Sequence, residues 1–197
     1  LCISLKIIVK IMLSDIQQTL KDNSEADFAE KMKTVAPGAK RIYGVRMPVL
    51  NEIAKAAKDG GFELIEQLWE AGAYEERMLA AKTLHKVAKK DPEKAIALVK
   101  KYSKAIDNWA LCDTLGMQSL KAINKIRSKE IFALANELSS SPVMWQRRLS
   151  MVLLEDFCKQ PVFHNTIQEM VNKHKGDKEY YIKKAVIWLE ASLKKHQ

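Results

Sequence analysis

Apolar residues recur every three or four positions along most of the chain, the spacing that places them on one face of an α-helix. Glycine and proline are scarce, with 7 and 5 copies in 197 residues, so few positions favour turns between strands. Pro48, Pro92, Pro142 and Pro161 lie where periodic segments begin, as expected of prolines in a first helical turn. The pattern predicts an all-α fold with helices over residues 13–22, 25–34, 48–59, 62–71, 74–89, 92–103, 107–120, 128–139, 142–158, 161–173 and 178–195.

The predicted helices form a repeat from residue 74 onward. One set starts at 74, 107, 142 and 178, in steps of 33, 35 and 36 residues, and a second set starts between them at 92, 128 and 161. A helix pair repeated at this period is typical of an α-solenoid, because one pair cannot bury its apolar faces alone. Tetratricopeptide repeats share the period, but degenerate HEAT-like repeats fit the residue pattern better. We expect residues 12–197 to form a single HEAT-like repeat domain with a concave surface.

The first residues, LCISLKIIVKIML, resemble a targeting segment only superficially. Lys6 and Lys10 interrupt them, and they fall short of the ~20 apolar residues that span a bilayer. We interpret residues 1–11 as an N-terminal extension, with a helix that packs on the domain as the alternative. We expect no membrane segment elsewhere.

Charge and cysteine content suggest a partner and a compartment. The formal net charge of +9 attracts polyanions, nucleic acid first and acidic membranes second, although lysine-rich helices also serve solubility alone. The odd number of cysteines, three, without metal-ligand spacing indicates a reducing, cytoplasmic location in which they are small buried hydrophobic residues. The four histidines have no ligand spacing either, so we expect no metal and no cofactor.

Charged and aromatic residues share equal positions in successive repeats. Asp113, Arg148 and Lys184 each lie six residues after a predicted start, which should align them across neighbouring helices. Trp109 lies one turn before Asp113, and Trp188 one turn after Lys184. Burying three charged side chains in a core costs several kcal/mol per ion even when they are paired. We therefore expect this row on the open, concave face, although a tryptophan in a helix is, taken by itself, more often a core residue than a contact residue.

A carboxylate between indole rings suits the stabilisation of a developing cation. Indole faces attract cations by roughly 0.5–2 kcal/mol, and cleavage of a glycosidic bond passes through an oxocarbenium-like transition state. A purine alkylated at N3 or N7 is already positively charged and departs without a second carboxylic acid. Asp113 therefore requires no acidic partner in such a reaction.

Basic residues near this row are candidate phosphate ligands. Arg148, preceded by Arg147, matches phosphate oxygens bidentately. Further candidates for contacts to a nucleic-acid backbone are Lys183, Lys184, Lys100, Lys101, Lys104, Lys121, Lys125 and Arg127.

Five segments together resemble a known family. YGVRMPVLNEIAK (43–55), LWEAGAYEERMLAAKTL (68–84), DNWALCDTLG (107–116), MWQRRLSMVLL (144–154) and YYIKKAVIWLEASLKKH (180–196) are similar, in order, to blocks of the bacterial DNA alkylation repair proteins of the AlkD-like group. The resemblance covers about residues 25–196. It implies a right-handed α-solenoid of HEAT-like pairs that grips duplex DNA in a concave basic groove and excises cationic alkylpurines.

The resemblance also implies roles for individual residues. Asp113 would be the catalytic carboxylate, Trp109 and Trp188 would contact the sugar of the damaged nucleotide, and Arg148 would hold a backbone phosphate. Further DNA contacts would come from Arg46, Arg147, Lys183 and Lys184. Arg46 replaces a glutamine of the family, and Phe28 is the nearest candidate for an aromatic residue expected in the second helix.

The expected function is thus a monomeric glycosylase of base excision repair, acting on double-stranded DNA that carries alkylated purines. One alternative is a non-catalytic HEAT-like module that binds damaged or branched nucleic acid. Another is a protein-interaction scaffold whose tryptophans anchor a partner helix.

Overall fold

A computed structural model of the protein describes residues 11–196, and these residues contain helices and no strands. The prediction of an all-α fold is confirmed. Most of the expected N-terminal extension, residues 1–10, and residue 197 lie outside the described residues. The eleven α-helices are α1 (Leu13–Asp22), α2 (Ala26–Val35), α3 (Met47–Ala56), α4 (Gly61–Ala71), α5 (Tyr74–Val87), α6 (Pro92–Ser103), α7 (Trp109–Gln118), α8 (Ser128–Ser139), α9 (Met144–Val152), α10 (His164–His174) and α11 (Tyr180–Lys195).

Two predicted helices end early as α-helices and are followed by 3-10 turns. The segment predicted over 48–59 is α-helical to Ala56 and then continues as a 3-10 turn, Ala57–Gly60. The segment predicted over 142–158 leaves the α-helix after Val152 and resumes as a 3-10 turn, Glu155–Lys159. The second change still buries Leu153, Leu154 and Phe157, so the apolar pattern that predicted a longer helix is satisfied by the tighter winding.

The prediction that Pro142 lies in the first turn of a helix is wrong. Pro142 precedes α9, which begins at Met144. The side chain of Arg147 donates hydrogen bonds to the carbonyl oxygens of Ser141 and Pro142, at 3.1 and 3.0 Å. These bonds occupy the two carbonyls in a turn, and the helix starts after it.

Alternate helices pack against one another in chain order. The helix α3 contacts α5, α5 contacts α7, α7 contacts α9, and α9 contacts α11. The helices α4, α8 and α10 each pack on the helix that follows them, and α6 packs on α8. This order is consistent with a stack of helix pairs, in which each pair meets its neighbours on both sides.

A continuous set of buried apolar side chains runs from Ile16 in α1 to Leu193 in α11. At its centre, the rings of Trp69 and Tyr102 stack with their centroids 4.0 Å apart. Cys112 and Cys158 are fully buried, as predicted, while Cys2 lies outside the described residues. No helix of residues 11–196 is long and apolar enough to cross a membrane.

Candidate active site

One cavity brings together residues from α7, α9 and α11. It has a volume of about 420 Å³. Its lining includes every residue of the predicted charged row and both predicted tryptophans. The lining residues are Trp109, Asp113, Arg148, Tyr180, Tyr181, Lys184 and Trp188. Equal offsets in the repeat therefore identified side chains that share a cavity in the folded chain.

Asp113 and Arg148 form a bidentate ion pair in this cavity. Nε and Nη2 of Arg148 each donate to one carboxylate oxygen of Asp113, both at 2.9 Å. A third donor, Nη1, bonds the backbone carbonyl oxygen of Tyr181 at 2.7 Å. The Arg148 side chain is only 9% exposed, whereas that of Asp113 is 24% exposed. The arginine is thus enclosed by α9 and α11, and the carboxylate reaches the cavity.

The positive charge of Arg148 is maintained by the same contacts. Burial by itself lowers the pKa of Arg148, but the hydrogen bonds and the negative charge of Asp113 outweigh it and raise the pKa overall. Arg148 therefore remains a cation at any pH at which the protein is folded. Both oxygens of Asp113 are held in one orientation as a result.

The start of α7 positions Trp109 and Asp113. Asn108 caps the helix, because its side-chain oxygen accepts a hydrogen bond from the N–H of Leu111 at 2.9 Å. The preceding residue, Asp107, forms an ion pair with Arg77 of α5 at 3.2 Å. Asp107 and Asn108 thus fix the helix end, while Leu111, Cys112 and Leu115 of the same stretch are buried in the core.

Gly116 allows α7 and α9 to approach closely. A Cβ atom added at Gly116 would lie 2.6 Å from Cγ1 of Val152 and 3.1 Å from Cδ1 of Leu149. Any larger residue would push the two helices apart. The close approach is what brings Asp113 of α7 within hydrogen-bonding distance of Arg148 of α9.

The two indole rings border the same cavity. Trp109 is 39% exposed, and Trp188 is half-buried on α11. Lys184 lies one turn before Trp188, and its ammonium group is 5.7 Å from the ring centroid of Tyr180. The cavity therefore presents aromatic surfaces around one carboxylate.

The other predicted DNA contacts lie away from the cavity. Arg147 binds Asp177 at 2.9 Å and the carbonyls of the turn before α9, so its guanidinium is engaged within the fold. Arg46 binds Glu25 through two hydrogen bonds of 2.7 Å and lies over the ring of Phe28. Lys183 is exposed and does not line the cavity. DNA contacts by these three residues remain predictions.

Sequence analysis missed two tyrosines. Tyr180 is 63% exposed, and Tyr181 packs against Trp145 with ring centroids 4.8 Å apart. Tyr180 lies one turn before Lys184 and two turns before Trp188 on the same helix, and this spacing was a usable signal.

A second cavity, of about 300 Å³, shares Trp109 and Asp113 with the first. Methionines from four helices line it: Met32, Met47, Met78 and Met117. Phe28 lies one turn before Met32 on α2. These methionines are far apart in the sequence and come together only in the folded chain, so no local sequence pattern predicted the second cavity.

A sequence profile of the DNA alkylation repair enzyme family matches residues 16–197. The chain belongs to this family. The resemblance inferred from the five sequence segments is thereby confirmed. Comparison with curated proteins gave no significant match. Membership in the DNA alkylation repair enzyme family indicates a role in the repair of alkylated DNA and an interaction with DNA.

Proposed function

We propose that the protein is a DNA glycosylase that hydrolyses the N-glycosidic bond of positively charged N3- or N7-alkylated purines in duplex DNA. The observation that carries the proposal is the Asp113 carboxylate, which opens into an aromatic cavity in a chain of the DNA alkylation repair enzyme family. Among residues 11–196, no second carboxylate lines that cavity, which suits a leaving group that needs no acid.

The proposed reaction uses the charge of the substrate itself. The bond from C1′ to the purine nitrogen breaks, and its electron pair neutralises the cationic purine, which leaves as a neutral base. The sugar becomes an oxocarbenium-like cation, and Asp113 stabilises it. Water then bonds to C1′ and gives a proton to solvent, leaving an abasic site.

The geometry of the ion pair leaves Asp113 able to orient that water. An ionised carboxylate has about four acceptor positions, and Arg148 occupies one on each oxygen. The second position on each oxygen remains for a water molecule in the cavity. Trp109 and Trp188 would contact the sugar and restrict access of bulk water.

We further propose that α3, α5, α7, α9 and α11 line the concave groove of a right-handed HEAT-like solenoid. Three observations support this arrangement. These helices contact one another in order, and α7, α9 and α11 together form the cavity. In addition, Asp113, Arg148 and Lys184 each lie six residues after a predicted helix start. Duplex DNA in this groove would place its backbone beside the cavity.

The phosphate contact proposed for Arg148 is compatible with its ion pair. A guanidinium has five N–H groups, and three are used by Asp113 and Tyr181. One N–H on each of Nη1 and Nη2 is left for a phosphate oxygen at the cavity.

The test is release of free base from chemically methylated duplex DNA. The purified protein should liberate 3-methyladenine or 7-methylguanine, detected by mass spectrometry, and leave abasic sites. Methylated DNA that is bound but stays intact would contradict the proposal.

The same ion pair supports a second candidate, a non-catalytic module that binds damaged or branched nucleic acid. In that case Asp113 serves only to hold Arg148, and its charge is neutralised by the pair. Duplex binding that depends on salt, without base release from any alkylated DNA, would favour this candidate.

A further inference from the structure

A third cavity lies at the C-terminal ends of α5 and α7. Its volume is about 750 Å³. Its polar lining residues come from the end of α5 and the turn after it, from the turns after α7, and from the segment after α9. They are His85, Lys89, Lys121, Asn124, Lys125, Asp156 and Gln160.

The lysines around this cavity have no carboxylate partners. Among residues 11–196, no ion pair joins Lys89, Lys121 or Lys125 to an acidic side chain, although ion pairs are common elsewhere on the surface. By contrast, the lysines of α6 are neutralised: Lys94, Lys100 and Lys101 bind Glu66, Glu137 and Glu70 at 2.8, 2.7 and 3.0 Å. Positive charge is therefore unneutralised at the third cavity.

The acidic side chain at the cavity is already occupied. Asp156 forms an ion pair with Lys159 at 2.7 Å and accepts a hydrogen bond from Asn124 at 3.1 Å. Lys121 also lowers the pKa of Asp156, so this single carboxylate is shared between Lys159 and the cavity and offsets only part of the charge of the three lysines.

The positive charge around the cavity affects the pKa of His85. Burial lowers the pKa of His85, and the charges of Lys86, Lys121 and Lys89 lower it further. These lysines therefore surround the imidazole, from both α5 and the turn after α7. Nδ1 of His85 is buried and has no hydrogen-bond partner in the described part of the chain.

Buried behind this cluster is another cation without a carboxylate partner. Lys82 lies on α5 three residues before His85, is 8% exposed, and binds the side-chain oxygens of Asn51 and Gln118 at 2.9 and 3.3 Å. Burial and the charge of Lys86 lower its pKa. An anion at the cavity would relieve repulsion among all of these groups.

The position of the cluster relates it to the candidate active site. Met78 of α5 and Met117 of α7 line the cavity that shares Trp109 and Asp113. His85 lies seven residues beyond Met78, about 10 Å farther along the axis of α5 at 1.5 Å per residue. One strand of a nucleic acid can therefore pass both places.

We infer that the His85–Lys89–Lys121–Lys125 cavity binds phosphodiester groups of the nucleic acid whose adjoining part occupies the Trp109–Asp113 cavity. It anchors the backbone independently of base sequence, through its unpaired lysines, and His85 forms part of its lining. The inference rests on the DNA-binding part of the proposed function and is independent of the glycosylase chemistry.

The test compares two triple variants with the same change in net charge. Lys89→Gln/Lys121→Gln/Lys125→Gln removes the unpaired lysines, and Lys55→Gln/Lys94→Gln/Lys175→Gln removes lysines that are paired with Glu52, Glu66 and Glu190. Binding of an unmodified fluorescent duplex is measured by anisotropy over a series of salt concentrations, and folding is checked by thermal unfolding.

We expect the first variant to bind roughly 10²-fold more weakly at low salt, with a salt slope smaller by about 2–3, because each lost phosphate contact lowers the slope by ~0.9. The control should bind within about threefold of wild type. Equal losses in the two variants would overturn the inference. The inference would also be overturned if wild type bound inorganic phosphate, the first variant did not, and the two proteins had the same duplex affinity.

Failure of the inference is separable from failure of the glycosylase proposal. The anisotropy series uses an unmodified duplex, so its outcome does not depend on whether the protein excises any base. If the protein excises no base but shows the predicted salt dependence of DNA binding, the phosphate site is supported and the glycosylase proposal is refuted.

Discussion

Asp113→Asn is the substitution that separates charge from shape at the candidate site. The two side chains have nearly the same size, but asparagine is neutral and presents an NH2 group to one donor of Arg148. The variant keeps one hydrogen bond of the pair and loses the other. Any effect on excision therefore reports the carboxylate charge and its orientation.

The expected loss of excision follows from electrostatics. A carboxylate ~4 Å from a unit positive charge stabilises it by about 4 kcal/mol at an effective dielectric constant of ~20. Arg148 cancels part of this, so we expect the rate of excision to fall by roughly 10²–10³-fold, the range seen when one preorganised electrostatic contact is removed. DNA affinity should change by less than about threefold, since the carboxylate acts mainly on the developing charge.

The same substitution also affects stability. Arg148 would remain buried without a counter-ion, and breaking a buried pair costs about 3–5 kcal/mol. Because Asp113 is 24% exposed, we expect less, about 2 kcal/mol, which lowers the melting temperature by roughly 4–8 °C.

Asp177→Asn is the matched control. Asp177 pairs with Arg147, the neighbour of Arg148, at 2.9 Å, with side chains 15% and 18% exposed. This variant should lose a similar amount of stability and keep full excision activity. The assay is single-turnover release of 7-methylguanine at a temperature where both variants are folded. Equal rates for Asp113→Asn and Asp177→Asn would refute the proposed role of Asp113.

Three other perturbations test the surroundings of the site. Gly116→Ala should lower the free energy of unfolding in urea by about 1–3 kcal/mol and reduce excision, because the added methyl group meets Val152 at 2.6 Å and displaces α7 from α9; unchanged stability would contradict this packing. Glu75→Gln should cost about 2–4 kcal/mol in the same assay, since the fully buried carboxylate accepts hydrogen bonds from three backbone N–H groups of residues 43–45; a loss under 1 kcal/mol would count against it. A nearby phosphate favours the charged imidazole of His85, so the pKa of His85 should be higher with DNA bound than without it, where it lies under the ordinary value near 6.5. Duplex affinity should therefore rise as pH falls through the DNA-bound pKa and level off below the pKa of the free protein. Anisotropy between about pH 5 and 8 should show a weaker pH dependence for His85→Asn, and the same pH dependence in both proteins would exclude this linkage.

The repeat made much of the fold predictable. Apolar periodicity placed all eleven helices, and α1, α6 and α8 have the predicted bounds. Equal offsets in the repeat brought Asp113, Arg148 and Lys184 to one cavity. Both successes follow from the regular spacing of the predicted helix starts, because α7 contacts α9 and α9 contacts α11, so equal offsets on these helices lie near one another.

The failures arise where tertiary contacts outweigh local pattern. The run 142–158 contains apolar residues at spacings of three and four, which fit α and 3-10 winding equally, and packing selects the change after Val152. A pair of adjacent arginines gave no sign that Arg147 would bind Asp177 and Arg148 would bind Asp113. Those partners lie 30 and 35 residues away.

The charge content of the sequence did not predict which lysines would have carboxylate partners. Lysines near helix ends were equivalent in the sequence, but the fold gives Lys100 and Lys101 glutamate partners and leaves Lys121 and Lys125 without any in the described residues. The net charge of +9 predicted a polyanion partner, and the pattern of ion pairs shows where positive charge is unneutralised.

The central claim is that Asp113 assists the departure of a purine because that purine is already cationic. The direct measurement is the single-turnover rate of base release from two duplexes that differ only in one lesion, 7-methylguanine or the neutral O6-methylguanine. We predict release of 7-methylguanine, dependent on Asp113, and no release of the neutral base. Equal rates on the two duplexes, or no release from either, would contradict the account.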